Sequence, residues 1–280
     1  MNDIPVYNSK LKWCILAAGF TFLYLPILIL IVYSFNENRL VTVWSGFSFK
    51  WYFELLEDDL LMGGVKLSLI IGFLSASAAV VLGTIAAFVL NRFGKFKGET
   101  GFAFMITAPL VMPEVITGLS LLLLFIAMGQ VFDLFSQRGM MTIWIAHVTF
   151  CTAYVTVVVS SRLQEVDRSI EEAAMDLGAP PWKVFLQITL PSIAPAILAG
   201  WLLAFTLSLD DLVIASFVSG PSATTLPMVV FSSVRLGVSP KINALATLTI
   251  LAVSCATFIA WWLMAKAEKR RLLEMKMSQQ

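Results

Sequence analysis

The chain has 280 residues, of which 59% are hydrophobic and only 13% are charged, and its mean hydropathy is +0.86. Soluble globular domains do not have this balance, so we expect an integral membrane protein. The net charge of +1 provides no overall field for nucleic acid or for an anionic surface, so only the distribution of charges along the chain is informative.

The first apolar run, residues 13 to 35, is long enough to cross a bilayer. The apolar core of a cleaved signal peptide would be about half as long, so we predict a retained helix with a kink at Pro26. Residues 36 to 64 follow as a link whose Trp and Tyr content is typical of a lipid interface. Mixed apolar and acidic residues over 53 to 60 predict a short amphipathic helix on that surface.

Five more spans are expected downstream. The second, residues 66 to 90, is rich in Ala, Ser and Gly, which is typical of a helix that packs on helices instead of lipid. A short basic turn at 91 to 101 leads to the third span. The others are predicted at 102–128, where Pro109 and Pro113 interrupt the run, at 140–160, at 192–217 and at 244–264. We therefore predict an all-α integral membrane protein with six transmembrane helices and both termini on one side.

Motifs of a self-contained enzyme are absent from the sequence. There is no GxxxxGK[ST] phosphate loop, no GxSxG and no HExxH. The three cysteines lie inside apolar runs, without the spacing of a metal site or of a disulfide framework. We expect free thiols, no metal, and no ATP hydrolysis by this chain.

One polar stretch, residues 168 to 191, lies between the fourth and fifth spans. Ser169 followed by Glu172 fits a capping box, so a short helix is predicted to begin there. A narrow apolar face of mostly small side chains follows at helical spacing: Ile170, Ala173, Ala174 and Leu177. Gly178 predicts a left-handed helix end, and the pair Pro180–Pro181 prevents continuation. Local physics alone leaves two interpretations, a displayed contact helix or an ordinary connecting loop.

Seven residues of this stretch resemble the EAA loop of the permease subunits of bacterial ABC importers, at the spacing of that family throughout. They are Glu172, Ala173, Ala174, Gly178, Ile188, Leu190 and Pro191. The similarity extends over nearly the whole chain. Segments 108–118 and 207–217 are similar to the spermidine/putrescine branch of the family, and among its members to the second permease of putrescine importers.

The resemblance implies the methionine-permease-like fold of type I importers, as a single permease domain over 1–280 with core helices within 66–264. It implies that the loop at 168–191 is a coupling helix that docks into a cleft of a cytoplasmic ATPase. The implied partners are a second homologous permease, two copies of the ATPase, which bind ATP and Mg, and a periplasmic substrate-binding protein. The chain itself is expected to hold no cofactor, and the implied substrate is a polyamine, putrescine above spermidine or another cation.

The basic residues predict which side of the membrane each loop faces. Thirteen of the 19 Lys and Arg fall on the face that holds both termini, and six on the other. The positive-inside rule makes the first face cytoplasmic. The loop at 168–191 belongs to that face, where an ATPase could reach it, so charge and motif agree independently. We expect a multi-pass protein of the bacterial inner membrane with both termini in the cytoplasm.

Three carboxylates, Glu114, Asp210 and Asp211, lie within predicted spans, where each costs a few kcal/mol unless it faces a cavity or a partner. They are the candidates for the substrate pathway, because a cationic amine needs acidic groups that replace its hydration. The alternative for the Asp pair is that it caps a helix break after Ser208 or pairs with Arg235. For Glu114 the alternative is a contact with backbone groups freed by the neighbouring prolines.

Two further features are weaker candidates. His147, the only histidine, lies on an apolar face, where a hydrogen-bonded packing role is more common than ligand binding. The stretch 221–240 is too short and broken to span a membrane, and is either a re-entrant gate over the pore or an interfacial loop. Its possible gate residues are Thr225, Pro227, Ser233 and Gly237.

Two classes of function remain open at this point. The first is the membrane half of an ATP-driven importer, and the second is a self-contained channel or ion-coupled carrier. Carriers commonly contain internal repeats, which this sequence lacks, and a channel has no need of a capped cytoplasmic helix. An intramembrane enzyme is a distant third, because one histidine and scattered acids form no catalytic constellation.

Overall fold

The structure is a computed structural model that describes residues 9–40, 43–132, 135, 137–237 and 239–277. Within these ranges the chain is helical, apart from connecting segments and one isolated β-bridge between Asn36 and Phe47. The helices are α1 (Ser9–Ser34), α2 (Lys50–Leu56), α3 (Asp59–Arg92), α4 (Glu99–Val111), α5 (Glu114–Phe132), α6 (Met140–Glu165), α7 (Arg168–Asp176), α8 (Pro181–Val184), α9 (Leu190–Asp210), α10 (Val213–Val218), α11 (Leu226–Leu236) and α12 (Pro240–Met277), with a π-helical turn Phe185–Thr189 between α8 and α9.

Six helices in the described part of the chain are long and apolar enough to cross a membrane. They lie in α1, α3, α5, α6, the run from α8 to α9, and α12, which confirms the predicted number of spans. The predicted fourth span and the short helix in the link correspond to α6 and α2.

The predicted bounds of the third and fifth spans are wrong. The predicted interruption at Pro113 is present, since α4 ends at Val111 and α5 begins at Glu114, and Met112 takes the extended conformation that a following proline favours. The span that follows the break is Glu114–Phe132 instead of 102–128. Pro109, expected to interrupt the same run, lies inside α4. The fifth span begins at Pro181 and ends at Asp210 instead of Phe217, since residues 213–218 form the separate helix α10.

One compact unit consists of the described residues up to Asp59 together with those from Ser233 onward. In this unit α1 packs against α12, and α2 packs on α12 as well. The indole N–H of Trp51 donates to the carbonyl of Asn36 at 2.6 Å, and Lys241 Nζ lies 3.0 Å from Asp58 Oδ2. These contacts tie the short helix α2 to the rest of its unit.

A second compact unit, Leu60–Ser232, contains the larger apolar core. At its centre Val155 on α6 is fully buried between Gly83 of α3 and Gly200 of α9. A Cβ atom added at Gly83 would lie 2.7 Å from Val155 Cγ1, so only glycine permits this approach of α3 to α6. The small residues of the second predicted span therefore do face helices, as expected from its composition.

We predict that Gly83→Ala destabilises the protein, because the added methyl group overpacks the contact with Val155. The expected cost is about 1–3 kcal/mol, measured as a lower thermal midpoint in detergent. Adding Val155→Ala should recover part of the loss, since the second change removes the clashing atoms. Gly63→Ala on the same helix is the control, because no atom lies within 4 Å of a Cβ there. A midpoint unchanged by Gly83→Ala would contradict this account of the helix contact.

Candidate functional site

The three candidate carboxylates line one cavity of about 220 Å³ in the second unit. Two helix breaks place them there. The break at Pro113 puts Glu114 at the start of α5, and the break after α9 leaves Asp210 and Asp211 ahead of α10. Phe150 and Tyr154 of α6 form an aromatic part of the wall. The sequence thus identified three residues that the fold brings together, although they are almost a hundred positions apart.

Asp211 is committed to the protein itself. Its carboxylate accepts the backbone N–H of Ile214 at 3.2 Å and that of Ala215 at 2.7 Å, so it caps α10. Its Oδ2 also lies 3.1 Å from His147 Nε2, and His147 Nδ1 lies 2.6 Å from the hydroxyl of Ser208. All three side chains of this network are buried. The capping interpretation therefore describes Asp211, and His147 is the hydrogen-bonded packing residue expected from its position.

Glu114 and Asp210 differ from Asp211 because their side chains are exposed. Within the described part of the chain, no ion pair reaches either carboxylate. Thr117 also lines the cavity, and its hydroxyl has no hydrogen-bond partner among the described residues. The cavity therefore presents two uncompensated acids, a hydroxyl and an aromatic wall, which suits a ligand with cationic ends and an apolar middle.

The described residues contain no group of three or more His, Cys, Asp or Glu that could hold a metal ion.

The helix α7 carries Glu172, Ala173 and Ala174 of the motif, and the predicted capping box at its start is wrong. Asp167 is the N-cap, and its carboxylate accepts the backbone N–H of Ser169 at 2.9 Å. That hydrogen bond, with one from the Ser169 side chain, lowers the pKa of the Asp167 carboxyl below its ordinary value. A carboxylate both satisfies a free amide and complements the positive end of the helix, so it outcompetes the Ser169 hydroxyl as the cap.

The end of α7 agrees with the prediction. Gly178 has a φ of +89°, in the left-handed region, and its N–H bonds to the carbonyl of Met175 at 2.9 Å. Pro181 does more than stop the helix, since it begins the next one, α8. On the predicted apolar face Ile170 and Ala173 are exposed, Ala174 is half-buried, and Leu177 is 90% exposed. No described part of the chain covers most of this face.

The remaining motif residues lie where α8 leads into α9. Ile188 belongs to the π-helical turn, whose wider geometry is closed by the N–H of Leu190 bonding to the carbonyl of Phe185. Pro191 follows directly and has no N–H for a regular helical bond. A π-turn at this point accommodates the proline without ending the helix.

Glu171 and its partners were missed by the sequence reasoning. Glu171 is not among the candidate residues, yet it is buried and paired with Arg92 at the end of α3, and its carboxylate accepts a hydrogen bond from the Thr189 hydroxyl. The signals in the sequence were the double glutamate Glu171–Glu172 and an arginine at the end of a span. Neither signal identifies its partner, because 79 residues separate the two charges.

The possible gate residues lie at and around α11, which has 11 residues and is too short to cross a membrane, as predicted. Thr225 is buried just before the helix, and the N–H of Leu226 donates to Ser68 Oγ of α3 at 2.8 Å. Pro227 and Ser233 lie inside α11, and Gly237 follows it with a φ of +127°. A gating role for these residues stays a prediction.

Comparison with known proteins provides independent evidence. A model of the family "Binding-protein-dependent transport system inner membrane component" matches residues 79–272. The chain is 67% identical to the putrescine transport system permease protein PotI of Escherichia coli (strain K12) over 276 residues, covering 99% of this chain and 98% of that protein. It is 41% identical to the spermidine/putrescine transport system permease protein PotC of the same organism over 251 residues, covering 90% and 92%.

Two solved structures have a similar fold at low sequence identity. A chain of a bacterial ABC transporter involved in the import of the acidic polysaccharide alginate superposes with a TM-score of 0.71 and 16% identity, covering 91% of this chain and 98% of the other. A chain of the MetNI methionine ABC transporter in an inward-facing conformation gives a TM-score of 0.55 and 16% identity, covering 72% and 92%. These likenesses confirm the predicted type I importer permease fold.

We predict that Asp211→Asn lowers stability while the same change at its neighbour Asp210 does not. The asparagine amide would face the N–H of Ala215 or the ring of His147, leaving a buried donor unsatisfied at about 1–3 kcal/mol. The measurement is the thermal midpoint of each variant in detergent, with Asp210→Asn as the matched control. Equal midpoints for the two variants would contradict a structural role specific to Asp211.

Proposed function

The chain belongs to the family of binding-protein-dependent transport system inner membrane components, and we propose that it is one of the permease subunits of an ATP-driven importer for putrescine. The relative with 67% identity over nearly the whole chain is a putrescine permease, which supports this substrate. The chain is a multi-pass inner-membrane subunit of a transport system. We propose further that both termini lie in the cytoplasm, on the evidence of the basic residues.

The observation that carries the proposed substrate is the cavity with two exposed carboxylates, Glu114 and Asp210, beside Phe150 and Tyr154. Putrescine has an ammonium group at each end of a four-carbon chain. The carboxylates replace part of the hydration of the ammonium groups, and the aromatic rings contact the methylene groups or attract a cation through their faces. Spermidine is the second candidate, because the relative with 41% identity is a spermidine/putrescine permease.

The proposed complex contains a second permease, two ATPase subunits and a periplasmic binding protein. ATP and Mg would be bound by the ATPase subunits, since this chain has no phosphate loop. In the proposed mechanism α7 docks in an ATPase cleft, closure of the ATPase dimer on ATP moves the docked helices together, and the pathway opens towards the periplasm. The exposed apolar face of α7 supports this role, because an uncovered Ile and Leu beside alanines suit a partner surface.

We predict that Asp210→Asn and Glu114→Gln each lower putrescine uptake in vesicles that contain the whole complex. An amine about 4 Å from a carboxylate gains about 1 kcal/mol in bulk water and several times more in a partly dehydrated cavity. Uptake at low substrate concentration should therefore fall about tenfold or more, and the deficit should shrink as the concentration rises. Assembly with the ATPase should persist.

Asp210→Glu is the control for this experiment, since it keeps the charge and should retain most of the uptake. If the Asn and Gln variants import putrescine at the parental rate with normal insertion, the two carboxylates do not act on the substrate. A loss of assembly would instead assign them to helix packing.

We predict that Ala173→Arg on the exposed face of α7 leaves insertion intact and abolishes either ATPase association or substrate-stimulated ATP hydrolysis. A long charged side chain prevents the close approach that alanine permits, whereas Ala173→Ser adds little volume and should be tolerated. Gly178→Leu should have a similar effect to Ala173→Arg, because a φ of +89° strains any residue with a side chain. Normal transport by Ala173→Arg would rule out docking through this face.

A further inference from the structure

We propose that Arg92, Glu171 and Thr189 are positioning residues that join α7 to α3 and α9, so that the docking helix and these two membrane helices move together. This inference rests on the proposed role of α7 in coupling. The three residues lie outside the seven motif positions, and their partners are distant in sequence.

The geometry uses both oxygens of the Glu171 carboxylate. Its Oε2 lies 2.9 Å from Arg92 Nε, and its Oε1 accepts from Arg92 Nη2 at 3.2 Å and from the Thr189 hydroxyl at 2.8 Å. The same Nη2 reaches the carbonyl of Val166, just after α6, at 3.4 Å. One carboxylate therefore connects the last residue of α3, the first turn of α7 and the π-helical turn that leads into α9.

Burial makes this ion pair different from a surface contact. The side chains of Arg92 and Glu171 are only 8% and 11% exposed, and Thr189 is buried. Removing one member of a buried pair leaves the other charge without compensation, whereas an exposed pair contributes little. The exposed pair Arg162–Glu165, at 45% and 64%, lies close by at the end of α6 and provides the contrast.

Further hydrogen bonds surround this ion pair at the ends of α3, α6 and α7. The Asn91 amide donates to Ser160 Oγ of α6 at 3.0 Å, and Gln164 donates to Asn91 Oδ1 at 3.2 Å. Arg168, the first residue of α7, adds one hydrogen bond to the carbonyl of Asn91. Hydrogen bonds thus join the ends of α3 and α6, and α7 is attached to them by the buried Glu171 and the exposed Arg168.

A displacement of α7 would consequently reach the cavity along α9. The π-helical turn that carries Thr189 continues into α9, whose 21 residues extend for about 30 Å and end at Asp210. A continuous helix transmits a displacement of one end to the other, provided that the first end is firmly attached. The hydrogen bond from Thr189 to Glu171 is that attachment, because it ties the start of the α9 run to α7.

The test uses the whole complex in vesicles and measures putrescine imported per ATP hydrolysed. Glu171→Gln keeps the size and can still accept the Thr189 bond, but it removes the charge that pairs with Arg92. Thr189→Val keeps the shape and removes one hydrogen bond. We expect the ratio to fall about tenfold in Glu171→Gln and less in Thr189→Val, with the ATPase still bound. Glu165→Gln, in the exposed pair, is the matched control and should keep the parental ratio.

An unchanged ratio in Glu171→Gln would overturn the proposal. It would also be overturned if both variants only reduced the amount of inserted subunit, because the residues would then serve folding alone. A parental complex that hydrolyses ATP without importing putrescine would count against the proposed substrate instead.

Hydrogen exchange then provides a readout that does not depend on the substrate. Amides of α7 in the assembled complex should exchange about tenfold faster in Glu171→Gln than in the parent, while the amides at the end of α3 keep their rates. Equal exchange of α7 in parent and variant would show that the ion pair does not hold this helix.

Discussion

A helix that ends in an apolar environment leaves amides and carbonyls that must find partners, and this constraint shapes the candidate site. Two ends meet at the cavity, at Pro113 and after Asp210. The carbonyl of Pro113 accepts the N–H groups of Ile116 and Thr117, and the carboxylate of Asp211 accepts those of Ile214 and Ala215. Irregular backbone is tolerated in a membrane where protein or a cavity surrounds it. The breaks that create the cavity are therefore also what brings acidic side chains to its wall.

The chain uses neighbouring acids for opposite purposes at two places. Asp211 is buried and bound to backbone and His147, while Asp210 beside it is exposed in the cavity. Glu171 is buried against Arg92, while Glu172 beside it is exposed on α7. Glu171 and Glu172 are successive residues of a helix and point about 100° apart, whereas Asp211 leaves the helix with an extended backbone directly after Asp210. In both places one acid can hold the structure while its neighbour faces a partner. A doubled acid in an apolar chain thus need not be a doubled binding group.

The sequence predicted well what depends on local chemistry. Long apolar runs predict the six spans, and Gly178 predicts the left-handed end of α7. Pro113 predicts the break before α5, because a proline restricts the backbone of the residue before it, Met112. Where two local signals competed, the prediction was less reliable. Asp167 and Ser169 both fit a helix cap, and a continuous apolar run hid the separate helix α10.

The parts of the site that sequence could not give are tertiary contacts. His147 meets Asp211 across 64 positions, and Arg92 meets Glu171 across 79. No periodicity or spacing encodes such a pair, since each partner alone looks like a polar residue near the end or the middle of a span. The three carboxylates were identified because charge in an apolar run is conspicuous by itself. Only the positions of His147 and of the first amides of α10 show that Asp211 is the one of the three that the protein itself binds.

The engagement of Asp211 has a consequence for the proposed transport of a diamine. With Asp211 bound to His147 and two amides, the cavity retains two uncompensated carboxylates, Glu114 and Asp210, which match the two charges of putrescine. A third free acid would add an attraction of several kcal/mol in a partly dehydrated space. Every 1.4 kcal/mol tightens binding about tenfold, so a third free acid would oppose the release of the cargo. A permease has to pass its substrate on, and the amides of α10 and the ring of His147 occupy the oxygens of Asp211, so that this carboxylate serves the broken backbone and not the substrate.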